Sequence, residues 1–138
     1  MSSDTVFAAI HDFLAASWSA TPLVFENEDF QKPSPPSPWV LAEVSGTSYA
    51  QASIGAKTVA TNLWREEGLL WMHVMVPAAT GSLAARQHAK QLADLFRGRE
   101  LLAGLLTFRE IAIGHGGPGD ENGNYWRMSV SVDWSYGS

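Results

Sequence analysis

The chain has 138 residues, 46% apolar and 17% charged, with no cysteine and a formal net charge of −5. This length suits one domain with a single core, and the missing cysteines exclude disulfides, thiolate chemistry and every Cys-based zinc or iron–sulfur site. Residues 1–31 hold Asp4, Asp12, Glu26, Glu28 and Asp29 with no Lys or Arg, and the nine basic residues beyond them are scattered, so no basic stripe exists to track a nucleic-acid backbone.

No apolar run approaches the roughly 18 residues of a membrane span, so a soluble protein without a membrane partner is expected. The opening MSSDTVFAAIHDFLAASW lacks a basic n-region and carries Asp4 and Asp12, which argues against a secretory signal and for synthesis in a cytoplasm. Val6, Ile10, Phe13, Leu14 and Trp18 share one side of a 3.6-residue period, with Ser2 or Ser3 as N-cap, which predicts a helix over 4–18. Thr21-Pro22 ends it, and Leu23-Val24-Phe25 is long enough only for an edge strand. Four prolines between Pro33 and Pro38 make the next stretch an extended loop. Trp39 to Val44 alternates as a strand, whereas Ser45 to Thr61 is small and polar without a clear period.

Leu69 to Val76, between Gly68 and Pro77, is an unbroken apolar or weakly polar run, read as a central strand buried on both faces. Ser82 is placed to cap a second helix, whose stripe is Ala85, Ala89, Leu92 and Phe96, with Gly98 as its stop. Leu105 to Ile113 reads as a strand with Thr107, Arg109 and Ile111 on one face and Leu106, Phe108 and Glu110 on the other. GHGGPGDENGN is read as a long hairpin connection, and Trp126, Met128, Val130, Val132 and Trp134 mark a final strand of strict two-residue period. The expected fold is therefore α+β: a single domain over 1–138, with a mixed, mostly antiparallel sheet of about four to five strands and two helices packed on it. The element order is α-β-β-β-α-β-β, with 26–38 and 45–61 as mobile or assembly loops.

No residue pattern announces a chemistry. His11, His73, His88 and His115 show no i, i+4 zinc spacing, and GHGGPGD lacks the Lys-Ser/Thr ending and following helix of a phosphate loop. No G-x-S-x-G elbow occurs, so neither a catalytic residue, a metal nor a cofactor is expected. His73 reads as a hydrogen-bonded core histidine with no partner identifiable in the sequence. The six tryptophans are mostly core, with Trp39 and Trp64 suited to a protein interface.

The order of pieces carries more than any one of them. Trp39-Val40-Leu41 follows the Pro-rich loop; Gln51-Ala52-Ser53-Ile54-Gly55, the GLLWMHVMVPAATG block from Gly68 to Gly81, a helix ending Leu95-Phe96-Arg97 and a Tyr125-Trp126 strand come after it. Together these resemble the tail terminator or tail completion proteins of long-tailed bacteriophages and phage-like gene transfer agents. The resemblance implies a non-enzymatic virion protein, made in the bacterial cytoplasm, that forms a hexameric ring on the head-proximal end of the tail tube. Such a ring stops tube growth and offers the head-attachment surface. Its partners would be further copies of itself, the tail tube protein and a head-completion or connector protein, with DNA only as passing cargo.

Within that expectation Tyr49, Gln51, Ile54 and Lys57, with Trp39 and Trp64, are the candidate assembly contact, and Glu26, Glu28 and Asp29 are candidate acids lining a DNA passage. Two other readings stand beside it. One is a different head–tail adaptor or a tube protein; the other is a small-molecule binding or hydrolytic domain whose pocket would use His73 with Glu43 or Arg109.

Overall fold

The computed structural model describes residues 3–51, 64–120 and 123–137, the side chain of residue 115 excepted. Helix α1 (Asp4–Ser17) is followed by β1 (Leu23–Phe25), β2 (Trp39–Gln51) and β3 (Trp64–Pro77), then by α2 (Leu83–Phe96), β4 (Glu100–Leu101), β5 (Leu106–Pro118) and β6 (Tyr125–Gly137). The strands form one sheet in the order β1-β2-β3-β6-β5-β4. Among the described residues β1 and β2 run parallel and the other pairings are antiparallel.

Both helices lie on one face of this sheet. Val6, Ile10 and Leu14 of α1 are fully buried, and so are Ala85, Ala89, Leu92 and Phe96, the whole expected stripe of α2. They meet Val40, Ala42, Leu70, Met72, Val74, Val130, Val132 and Trp134 in a single core. At one end of the sheet a smaller cluster of Val24, Trp39, Met75 and Tyr125 is covered by Phe30 and Leu41. The Pro-rich stretch is tied down there: Tyr125 Oη donates to the Pro33 carbonyl at 3.3 Å, and Lys32 Nζ lies 3.6 Å from Asp120 Oδ2.

Several expectations are corrected. The sheet has six strands, not four to five, and the order is α-β-β-β-α-β-β-β. The additional strand is β4, two residues long and joined to β5 by the turn Leu101–Gly104, closed by a 3.2 Å bond from Gly104 N to Leu101 O. Leu102 and Ala103 both hold positive φ there, 54° and 55°, a conformation that Asn-Gly would ordinarily announce, so the hairpin is invisible to turn chemistry. β2 continues past Val44 to Gln51 because Ser45 to Gln51 find ladder partners on β3. β5 likewise runs on through Gly116 and Gly117, residues expected in a loop.

β3 is one of the two middle strands, yet it is not buried on both faces. Gly68, Leu70, Met72 and Val74 are buried, whereas Leu69, Trp71 and His73 between them are only half-buried, because no helix covers their side. Irregularities at Phe108/Ile111 and Ile113/Gly116 of β5 shift its alternation. Ile111 and Ile113 thereby stand opposite the core residues Val132 and Val130, on the face of Leu106 and Phe108, where strict alternation had placed Ile111 with Arg109. Ser3 caps α1, its Oγ accepting from Val6 N at 3.4 Å. Ser82 makes no such bond to α2; its Oγ accepts instead from Arg86 Nε at 3.1 Å.

Trp134, 1% exposed, is the largest fully buried side chain. Its ring occupies the space that a side chain at Gly68 would need: a Cβ there would stand 2.6 Å from the indole and 2.0 Å from the Ser45 carbonyl oxygen. Backbone cannot yield as a flexible side chain can, so Gly68→Ala is expected to cost at least about 3 kcal/mol in urea unfolding. By contrast, Ala103→Gly relieves one strained residue of the β4–β5 turn and is expected to raise stability by up to about 1 kcal/mol in the same measurement.

Candidate functional site

The face left bare by the helices carries a polar row. His73 on β3 stands opposite Ser129 on β6, and its Nδ1 lies 2.7 Å from Ser129 Oγ. Its Nε2 is 3.8 Å from Glu43 Oε2 on β2, and Trp71 stacks beside it with ring centroids 6.0 Å apart. Hydroxyl, imidazole and carboxylate in sequence are the components of a hydrolytic triad. The carboxylate is beyond hydrogen-bond reach, however, and the backbone of β3 and β6 is laddered on both sides. Among the described residues no pair of free backbone amides on β3 or β6 faces this row. Arg109, the other group considered beside His73, stands in a different depression of about 280 Å³ with Thr47, Asp133 and Ser135. Among the described residues no three His, Cys, Asp or Glu side chains group as metal ligands, and no helix is long and apolar enough to cross a membrane.

Burial is the main influence on His73 and holds its pKa below the ordinary 6.5; the Glu43 carboxylate works against this and Arg127 with it. The unfolded chain thus takes up a proton at this residue before the folded one does. The associated stability is full above pH 6.5 and is lost as pH falls from there toward the lower folded value. Replacing His73 by Gln is expected to flatten that part of the decline, read as urea midpoints between about pH 7 and pH 5.

The anticipated assembly residues separate into two groups at the ends of β2. Trp39 is 6% exposed inside the smaller cluster, stacked near Phe30 and Tyr125, and offers no surface. Roughly 33 Å along the strand, Tyr49 is 46% exposed and stacks on Trp64 with centroids 5.5 Å apart at 24°, while Gln51 pairs directly opposite Trp64. Ile54 and Lys57 lie outside the described residues. This arm is fastened to α1 by Glu66, 3% exposed, which accepts from Ser3 N at 2.7 Å.

The three anticipated lumen acids differ in the same way. Glu26 Oε2 accepts from Val44 N at 2.9 Å and so covers part of the outer edge of β2; burial raises its pKa, against the pull of that hydrogen bond. Glu28 Oε1 accepts from Phe25 N at 2.8 Å and closes the turn after β1. Asp29 is exposed.

The more informative feature is the pair of sheet edges. β1 covers β2 only from Val40 to Ala42, and β4 covers β5 only at Leu106 and Thr107. Among the described residues no further strand pairs with either of these edges, the Glu26 carboxylate on Val44 N being an added cover on β2, and an unpaired edge ordinarily invites pairing or coverage. Beside the β5 edge, two grooves of about 460 and 280 Å³ run under α2, lined by Arg86, Lys90, Arg97, Ile111 and Ile113. Sequence reading did not single out these residues. The basic spacing on α2 was legible, but its position over the β5 edge depends on the sheet order.

A sequence model of a family described as phage tail terminator protein matches residues 5–134. No curated protein matches the chain. Among 24 matching solved chains, one whose designation states no function superposes with a TM-score of 0.67 at 26% identity. That superposition covers 99% of this chain and 96% of the other. The family match spans nearly the whole chain: the protein belongs to the phage tail terminator family, a family of structural proteins of the phage tail.

Proposed function

We propose that this protein forms a closed ring, a hexamer, on the head-proximal end of the tail tube, where it ends tube growth and presents the surface to which the head attaches. The observation that carries this reading is the family match over residues 5–134. Two features of the fold support it. The bare edges belong to different strands on opposite sides of one sheet, and contact between unlike surfaces generates rings when the rotation closes. The β2–β3 arm, with Tyr49 exposed on Trp64, projects a polar and aromatic surface that suits contact with the tube. On this reading the ring's partners are copies of the chain, the tail tube protein and a head-completion protein, and DNA passes through its centre.

Electron microscopy of the purified protein with polymerised tail tube protein tests the reading, with native mass measured in parallel. Closed rings and tubes capped at one end are expected, and Tyr49→Ala is expected to lower the capped fraction without unfolding the chain. Long filaments of this protein alone would identify a tube component instead. A monomer that ignores tubes would remove the ring altogether.

A further inference from the structure

The balance of charge differs between the two edges of the sheet. On the β1 side, His11 of α1 rests against the Phe25 ring at 4.7 Å and has Asp12 Oδ1 at 3.2 Å and Glu28 Oε2 at 3.6 Å. Those contacts gather acids from α1 and from the turn after β1 onto one edge. A cavity of about 340 Å³ beside them is rimmed by Glu26, Glu28 and Glu43, with Lys32 among them, over Phe30 and Leu41. Asp29 is exposed next to it, and residues 4–29 contain no Lys or Arg.

The opposite edge has the other sign. From Ser82 to Glu110 the chain holds Arg86, Lys90, Arg97, Arg99 and Arg109 against Asp94, Glu100 and Glu110, so the balance is basic. Arg86, Lys90 and Arg97 line the grooves between α2 and the β5 edge together with Asp94, which pairs with Lys90 at 2.6 Å. Ile113, 43% exposed, stands among them, with Trp126 and Met128 lining the larger groove. Each edge therefore has an apolar centre and a charged rim, the make-up of a protein–protein contact, and the two rims are electrostatically complementary.

We infer that the acidic α1–β1 edge of one copy docks on the basic α2–β5 edge of the next, with the exposed turn after β1 entering the grooves under α2. This inference rests on the ring reading and deepens it by naming the two surfaces that meet. It is a head-to-tail contact, so every copy uses both surfaces and the closed ring leaves neither free. The acids of the N-terminal segment then face a neighbour and not the DNA passage.

The test uses two full-length variants, Asp12→Lys/Asp29→Lys and Lys90→Glu/Arg97→Glu, whose replaced side chains are exposed and lie outside the core. Rings are counted by native mass and electron microscopy, and folding is checked by thermal melting. With wild type forming rings, each variant alone is expected to stay folded but to need roughly a hundredfold higher concentration to assemble, since like charges would face each other. Mixing the two variants restores an acid facing a base at every contact, and even-numbered rings are expected to return. Rings from either variant at the wild-type concentration would overturn the edge assignment while leaving the ring reading intact. So would a mixture that fails to assemble although both variants melt as wild type does. Intact rings that lose only DNA delivery in the Asp12/Asp29 variant would return those acids to the passage. Wild-type protein that forms no ring, alone or with tubes, would overturn the ring reading and this inference with it.

Discussion

Trp134 and the paired glycines beneath it hold the sheet together. Its indole fills the space over Gly68, whose ladder partner on β2 is Gly46, and a methyl group at Gly68 would strike both the ring and the Ser45 carbonyl. β2 shifts register next to this pair, between Gly46 and Ser48. The same seat marks where the sheet leaves the helix-covered core: Leu70, Met72 and Val74 continue under the helices, while Ser45 to Gln51 run out as an exposed arm. A close-packed interior transmits such a constraint because it has no slack to absorb a displaced backbone.

From that seat follows an asymmetry that a monomer has little use for. Both helices lie on one face, the other face carries a polar row of His73 and Ser129, and among the described residues long stretches of β2 and β5 have no strand on their outer side. Soluble proteins ordinarily shield such edges. Here only parts are shielded: the Glu26 carboxylate takes one β2 amide, and β4 covers two residues of β5. What remains bare on the two sides carries opposite charge, and it lies on the two ends of the strand order. The family to which the chain belongs is one of tail proteins, which act in assemblies.

The candidate contact residues divide once the fold is known. Tyr49 was singled out as a contact residue and is exposed; Trp39, chosen with it, is buried under Phe30 because the Pro-rich stretch folds back over the sheet through Pro33 and Lys32. Ser129 escaped notice as the partner of His73, since the residues are 56 apart in the chain and only the antiparallel register of β3 and β6 sets them opposite. β4 was missed because Leu102 and Ala103 take a backbone geometry their side chains disfavour, and local preference cannot announce a conformation that tertiary packing imposes.

Local periodicity by itself determined both helices, the inward residues of α2 and the alternation of β6, because a 3.6-residue stripe and a two-residue stripe each specify a buried face without reference to any partner. Composition placed acids without bases in residues 1–31, with nine acids and nine bases after them. Only the tertiary structure decided that the N-terminal acids and the bases of α2 lie on opposite edges of one sheet, that the far face of β3 is open, and that Ile111 and Ile113 turn toward the helix side. Each of those depends on strand order, register or a bulge, and these are settled by contacts between residues distant in sequence.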